Sequence, residues 1–456
     1  MFGRDESQTE PFRTVKIPPR TGLMRKVLAY MGPGFLISVG YMDPGNWATD
    51  LEGGARYGYR LLWVVLLSNL MAILLQTLCV RLGLVTGKDL AQACRQHFRK
   101  PAAIALWILC EIAIIACDLA EVIGSAIALQ LLFGIPLIIG VAITTFDVLM
   151  LLGLAKYGFR KLEAIVITLV ATVAGCFLLQ MFLAKPNFGM VAQGLLIPTL
   201  PDAEAVVISL GIIGATVMPH NLYLHSSIVQ TRAHERTAKG IREAIRYNTW
   251  DTIGALGAAF FVNAAILVLA GTVFDGRMQE VRELGDAQKL LKPILGGVAS
   301  TAFAVALLAA GQSSTITGTL AGQIVMEGFL EWKIPPHIRR IVTRLMAVVP
   351  AMLIIFIYGG HDTTRILTWS QVALSLQLPF AIVPLIIFTS SRKVMRDFVN
   401  PLWMTTLSVI AASLVIGLNL YLVWERLGPV ILVSILTVVV LFATWVRFGY
   451  KERGKA

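Results

Sequence analysis

Long apolar runs separated by short polar segments fill this chain from about residue 30 onward. About twelve of them reach the length of a membrane helix. They fall near 30–56, 60–84, 101–132, 135–155, 162–183, 204–231, 248–272, 293–329, 341–358, 364–389, 402–423 and 428–446. A backbone in lipid must satisfy its own hydrogen bonds, so the pattern predicts an all-α integral membrane protein.

Two of the runs are not clean helices. The first reads Met31-Gly-Pro-Gly, continues for a turn or two, and then meets Asp43-Pro44-Gly45-Asn46. Pro44 has no amide hydrogen and Gly45 is a poor helix former. Asp43 is a carboxylate near mid-membrane depth, expensive without a partner. It could be a cap at a helix end near the interface, but Trp47–Tyr59 then becomes a long loop, and its small residues read better as a second half-helix. The sixth run breaks near its middle at Ala215-Thr-Val-Met218-Pro219-His220. Alone, this is a proline kink. Together, the two breaks open successive five-helix blocks, the sequence pattern of an inverted-repeat transporter with a midplane site. The expected division is a tail over 1–25, a first five-helix unit over 26–200, a second over 201–390, and two additional helices with a short tail over 391–456.

Unwound segments expose carbonyls that bind cations. Asp43 adds a hard anionic oxygen, Asn46 a neutral one, Ala215 its carbonyl and Met218 a thioether. Oxygens alone would suit Mg²⁺ or Ca²⁺. The thioether moves the preference toward first-row transition ions, with soft Cd²⁺ also accepted. A membrane methionine is more often packing. Its position beside a helix-breaking proline, facing a second break, favours a ligand here.

Composition agrees. The chain has 456 residues, 56% hydrophobic and 14% charged, with a mean hydropathy of +0.74. The net charge is +12, which in a soluble protein would suggest nucleic acid. With the N-terminus inside, 28 Lys and Arg fall in inside segments and 9 in outside loops. That bias places both termini in the cytoplasm and leaves no need for a nucleic-acid partner. The basic stretch 231–247 could meet anionic lipid, but topology suffices to explain it. The first 25 residues are polar, without a signal peptide's apolar centre, and read as a mobile cytoplasmic tail. The five cysteines form no CxxC, so neither a disulfide framework nor a thiolate metal site is expected.

Asp43-Pro-Gly-Asn46, Met218-Pro-His220 and the run Gly311–Phe329 together resemble the Nramp family of divalent metal transporters over roughly residues 28–425. The resemblance implies a LeuT-like fold of two inverted five-helix repeats. It also implies import of Mn²⁺ or Fe²⁺ coupled to H⁺. Asp43, Asn46, Met218 and the Ala215 carbonyl match the family's metal ligands. Gln371, in Trp369-Ser370-Gln371, and the carbonyl of Gly40 match groups that approach the metal in some states. Relatives specialised for Mg²⁺ or Al³⁺ lack the methionine. A twelfth span departs from many bacterial relatives, which stop at eleven. No cofactor and no obligate protein partner are implied; the partners are divalent metal ions, protons and the lipid bilayer, in a bacterial inner membrane.

The third span carries Glu111, Asp118 and Glu121 on one helical face. They form either a proton path leading inward from Asp43 or a structural pairing with Arg340 or Arg344. The resemblance favours the path, since carboxylates matching Asp118 and Glu121 serve it in the family; Glu111 has no such support. The family keeps His220 beside the metal, which assigns it to proton movement or gating. His225 is five residues on, faces elsewhere, and reads as structural. The Gly-, Ser- and Thr-rich eighth span, with Gly318-x-x-x-Gly322, reads as a scaffold that packs closely. Asn263 is expected to hydrogen-bond in the core.

The mechanism expected is alternating access, with Asp43 central to both ions. A Na⁺ or amino-acid symporter on the same fold would want no mid-site carboxylate with a thioether. An enzyme would want HExxH, a nucleophile elbow or a P-loop, and none occurs. A non-transporting metal sensor would usually bring a sizeable soluble domain.

Overall fold

The computed structural model of the chain describes residues 15–16, 23–155, 159–233, 235–274, 284–332, 334–358 and 363–429, with two isolated positions beyond. Most of the expected twelfth span, 428–446, lies outside the described residues. So do His234, His361 and the side chains of Asp147, His337 and Arg340. Among the described residues, eight helices are long and apolar enough to cross a membrane, and shorter apolar helices accompany them.

The first broken span comprises α1 (Leu23–Tyr30), α2 (Pro33–Ser38), a 3-10 turn (Gly40–Met42) and α3 (Pro44–Tyr57). Next come α4 (Leu62–Thr86), the short α5 (Leu90–His97), α6 (Lys100–Phe133), α7 (Leu137–Ala155), α8 (Phe159–Ala184) and α9 (Phe188–Leu196). The second broken span is α10 (Ala203–Val217) and α11 (Pro219–Ile228). After it run α12 (Ala238–Val273), α13 (Leu284–Leu295), α14 (Gly297–Leu330), α15 (Pro336–Tyr358) and α16 (Thr363–Thr389). The short α17 (Arg392–Met395) and α18 (Leu402–Leu427) follow.

Three expectations need adjusting. The seventh helix starts ten residues before 248, because Thr237 caps it by accepting the Gly240 amide at 3.1 Å. The basic stretch 231–247 is therefore largely helix. The eighth run is cut at Gly296, whose φ of 91° suits glycine, so α13 stands apart from α14. The N-terminal tail is not wholly unstructured: Val15–Lys16 pairs in parallel with Arg232–Ala233.

The half-helix before the first break is clamped by one stripe of α12. Glu243 pairs with Lys26 at 2.6 Å, and Tyr247 stacks on Tyr30 with ring centroids 5.1 Å apart. Asp251 accepts from the Gly32 and Gly34 amides at 3.3 and 2.7 Å. The spacing i, i+4, i+8 puts all three on one helical face. Beside Gly32, the buried Arg232 pairs with Glu163 at 2.7 Å and donates to the Met31 carbonyl at 2.7 Å. At the opposite end of the molecule, Tyr57 donates to Asp202 at 2.6 Å, which with the Ala205 amide holds that carboxyl below its ordinary value. Between the two ends, Trp47 is fully buried, edge-on to Phe177 and Phe303.

Candidate metal centre

Pro44 removes the amide hydrogen that an unbroken helix would give to the Gly40 carbonyl. The chain tightens there into a 3-10 turn, with the Met42 amide bonded to Val39 O at 3.0 Å. Asn263 donates to Tyr41 O at 2.7 Å, so its expected core hydrogen bond is made at the break itself. Trp47 Nε1 donates to Met42 O at 3.2 Å. Asp43 then caps α3, its Oδ1 accepting from the Asn46 amide at 2.8 Å. Oδ2 is left for other partners.

At the second break, Pro219 removes the donor of the Ala215 carbonyl in the same way. No 3-10 turn takes its place. Met218 alone joins the two half-helices, with φ 35° and ψ 103°. A non-glycine residue there costs on the order of 1–3 kcal/mol, and such outliers cluster at ligand sites. The second half-helix starts with the Asn221 amide on Met218 O at 3.1 Å.

The breaks meet. A Cβ placed on Gly40 would lie 3.2 Å from Met218 Sδ, so the missing side chain lets the sulfur approach the first break. Gln371 of α16 is wedged between them. Its side-chain amide occupies the space a Cβ on Gly45 would need, and its carbonyl does the same at Gly214. Asp43, Asn46, Ala215, Met218 and Gln371 are all at most 1% exposed. The Asn46 Oδ1 and Gln371 Oε1 acceptors have no hydrogen-bond partner. Each buried unpaired acceptor costs about 1–3 kcal/mol, an expense that a bound cation would remove. Donors of this kind, hard oxygens with one thioether, fit a first-row divalent ion as cargo.

Beside Asp43, α6 presents its carboxylates to α14 and α15. Glu121 Oε2 lies 3.7 Å from Arg344 Nη1. Asp118 lines a small cavity with Gly318, Gly322, Arg339 and Arg344. Glu111 accepts from Arg339 at 2.9 Å and from Trp107 Nε1 at 3.0 Å. Charges of both signs thus alternate from Glu121 to Glu111. Of the two arginines expected from sequence, Arg344 lies on this ladder and the side chain of Arg340 is outside the described residues; Arg339 is an addition. The scaffold reading of Gly318 and Gly322 also changes. A Cβ on Gly318 would sit 3.2 Å from Glu121 Oε1 and 3.3 Å from Asp118 Oδ1, and one on Gly322 would strike the Arg339 guanidinium at 2.7 Å. These glycines make room for the charged ladder, a purpose that small-residue spacing alone does not reveal.

His220 is buried beside the second break, and its Nδ1 has no partner. His225 bonds Gln76 Oε1 at 2.9 Å, and Gln76 donates to the Tyr41 hydroxyl at 2.8 Å, tying α11 to the first break through α4. Sequence reasoning passed over Asp50, which is 1% exposed with an unpartnered Oδ2. Its place seven residues beyond Asp43 on α3 was the available signal. It also passed over Cys117, whose sulfur lies 3.7 Å from Asp43 Oδ2 and 3.8 Å from Glu121 Oε1.

A family profile described as "Natural resistance-associated macrophage protein-like" matches residues 34–425. A protein of a Nostoc species called "Divalent metal cation transporter MntH" is 55% identical over 425 residues, covering 92% of this chain and 96% of the relative. A Mesorhizobium japonicum protein of the same name is 52% identical over 434 residues, covering 93% and 96%. Among solved structures, a manganese transporter from Eremococcus coleocola superposes with a TM-score of 0.89 at 38% identity, covering 98% of this chain and 99% of that one. Mhp1, a nucleobase-cation-symport-1 family transporter, was also solved in an inward-facing form, which gives a TM-score of 0.54 at 13% identity over 91% of this chain and 92% of that one. The last likeness concerns the fold alone, and it agrees with a LeuT-like arrangement of two inverted repeats.

Proposed function

Since the chain belongs to the Nramp family, we propose that it imports divalent transition-metal ions, Mn²⁺ and Fe²⁺, across a membrane by alternating access coupled to H⁺. The observation that carries this reading is the meeting of a capped carboxylate, a carbonyl robbed of its donor and a thioether at two facing helix breaks, all buried. Asp43 Oδ2, the Ala215 carbonyl, Asn46 Oδ1 and Met218 Sδ supply the donors. Gln371 and the Gly40 carbonyl stand next to them.

A carboxylate must be ionised to hold a metal ion, so metal binding at Asp43 releases or excludes a proton. The ladder of Glu121, Arg344, Asp118 and Arg339 offers that proton a polar route through an apolar bundle. His220 sits beside the metal donors and would act in gating or proton movement. Glu111, tied to Arg339 and Trp107, closes the ladder. The Lys and Arg bias supports a topology with both termini in the cytoplasm of a bacterial cell. A membrane potential negative inside favours entry of a dication by about 4–5 kcal/mol per 100 mV if both charges cross the full field.

The test is Mn²⁺ uptake into proteoliposomes with internal pH recorded and Cd²⁺, Ca²⁺ and Mg²⁺ as competitors. Saturable uptake with internal acidification, blocked by Cd²⁺ and resistant to excess Ca²⁺, is the expected result. Uptake without acidification would remove the proton coupling. Cd²⁺ binding without any uptake would favour the sensor reading.

A further inference from the structure

We propose that Cys117 is an additional ligand at this site for thiophilic divalent ions, making the site selective for Cd²⁺-like cations beyond what Met218 alone provides. This role rests on the transport reading above, since it adds a donor to the same site.

The geometry begins at Asp43. Its Oδ1 is committed to capping α3. Oδ2 is therefore the oxygen available to a cation, and the group facing it is the Cys117 sulfur at 3.7 Å. An ion about 2.1 Å from the oxygen and about 2.3 Å from the sulfur would see the two about 114° apart, near the tetrahedral angle. Cys117 is 2% exposed and shares one buried cluster with Met218, Ala113 and Leu374. Both sulfurs thus belong to one buried cluster, and the Asp43 oxygen lies beside one of them. Asn46 Oδ1, 99% buried and without a partner, lies on the first turn of the helix that Asp43 caps and supplies an independent donor there.

Among the described residues, no three Cys, His, Asp or Glu side chains converge on a metal position, at the two breaks or elsewhere, and the other donors beside Asp43 and Cys117 are amides, a carbonyl and a thioether. The thiol therefore acts by joining the transport site, not by building a second one. On ligation the S–H bond breaks and the metal–sulfur bond forms. The proton passes to Glu121 Oε1, 3.8 Å from the sulfur and the first carboxylate of the charged ladder. Thiolate ligation suits soft and borderline ions and adds little for Mn²⁺. The competing account is that Cys117 is a small apolar filler with a weak donor.

The experiment is Cd²⁺ titration of the purified full-length chain, reading the ultraviolet thiolate-to-cadmium charge-transfer band, alongside Cd²⁺ and Mn²⁺ uptake in proteoliposomes. A thioether gives no such band. The expected result is a band in the wild type that persists in Met218→Ala and disappears in Cys117→Ser. Cys117→Ser should also lower Cd²⁺ affinity about tenfold more than Mn²⁺ affinity. A band surviving Cys117→Ser would come from another thiol and overturn the proposal. Cd²⁺ blocking Mn²⁺ uptake in the wild type with no band would also overturn it, while leaving the transport reading intact. Neither Cd²⁺ binding nor Mn²⁺ uptake would remove the transport reading and the thiol's role with it. Should Cys117→Ser fail to fold, Cys117→Ala and the wild-type band decide the matter.

Discussion

At the first break side-chain donors reach the carbonyls beside the one that its proline strips; at the second, among the described residues, none does. Around Pro44 the carbonyls of Val39, Tyr41 and Met42 accept from the Met42 amide, from Asn263 and from Trp47. Around Pro219 the Ala215 carbonyl has lost its helical donor, and no side-chain donor among the described residues replaces it. The halves differ in surroundings too. The span Ala203–Thr231 is buried throughout its most apolar window, whereas Lys26 and Glu243, which hold α1 to α12, are 25% and 34% exposed. The first break brings charge and is tied to its neighbours by polar contacts. The second brings an open carbonyl and a soft sulfur, held in a strained conformation by packing. A cation bridging them would be held on one side by electrostatics and on the other by shape and polarisability.

Removing the charge should have the largest effect. Asp43→Ala is expected to reduce Mn²⁺ uptake by about a hundredfold, because no other carboxylate caps α3 at the site. Uptake above about a tenth of wild type would mean that the charge lies elsewhere. Removing the softness should change selectivity more than turnover. Met218→Ala should weaken Cd²⁺ about tenfold more than Mn²⁺ and let Ca²⁺ begin to compete; equal losses for the two ions would remove the thioether from the ligand set.

The backbone contrast is tested by restoring an amide hydrogen at each break. Pro219→Ala returns a donor to the Ala215 carbonyl and should weaken Mn²⁺ binding about tenfold, a loss of about 1.4 kcal/mol. Pro44→Ala returns a donor to the Gly40 carbonyl, which stands next to the four proposed donors and is not one of them, and should cost less. Isothermal titration with Mn²⁺ measures both, and the reverse order would sink the distinction. Asp118→Asn asks whether the proton route leaves from the first break alone. Mn²⁺ binding should persist while proton influx in proteoliposomes falls; unchanged influx would return Asp118 to a structural role. The smallest effect belongs to the half-exposed clamp. Glu243→Gln should alter stability by less than about 1 kcal/mol, and by less still at high salt, as thermal unfolding in detergent would show.

The two breaks were plain in the sequence because proline and glycine act locally, whatever the fold around them. Asp43 and Met218 stood out because a carboxylate or a thioether beside a break has few bland explanations. Glu111, Asp118 and Glu121 were legible as one face by helical spacing alone. Their partners were harder. That Arg339 turns toward α6 depends on how α15 packs, which the sequence does not show. Cys117 lies in an apolar stretch, and nothing in the sequence says that it faces Asp43. Gly318 and Gly322 looked like a packing motif, because spacing cannot distinguish a neighbouring backbone from a neighbouring guanidinium.

What the sequence determined by itself was therefore the set of local interruptions and the helical periodicity, both fixed by covalent structure and by the need to satisfy the backbone in lipid. It also determined the kinds of donor available: one carboxylate, one amide, one thioether, and the carbonyl that Pro219 strips of its donor. Only the tertiary structure decided which donors share a space. Contacts such as Gly40 with Met218, Gln371 with both breaks, and Cys117 with Asp43 join residues far apart in the chain. Such contacts are set by how the helices cross and rotate against one another, and no periodicity within a single helix encodes that.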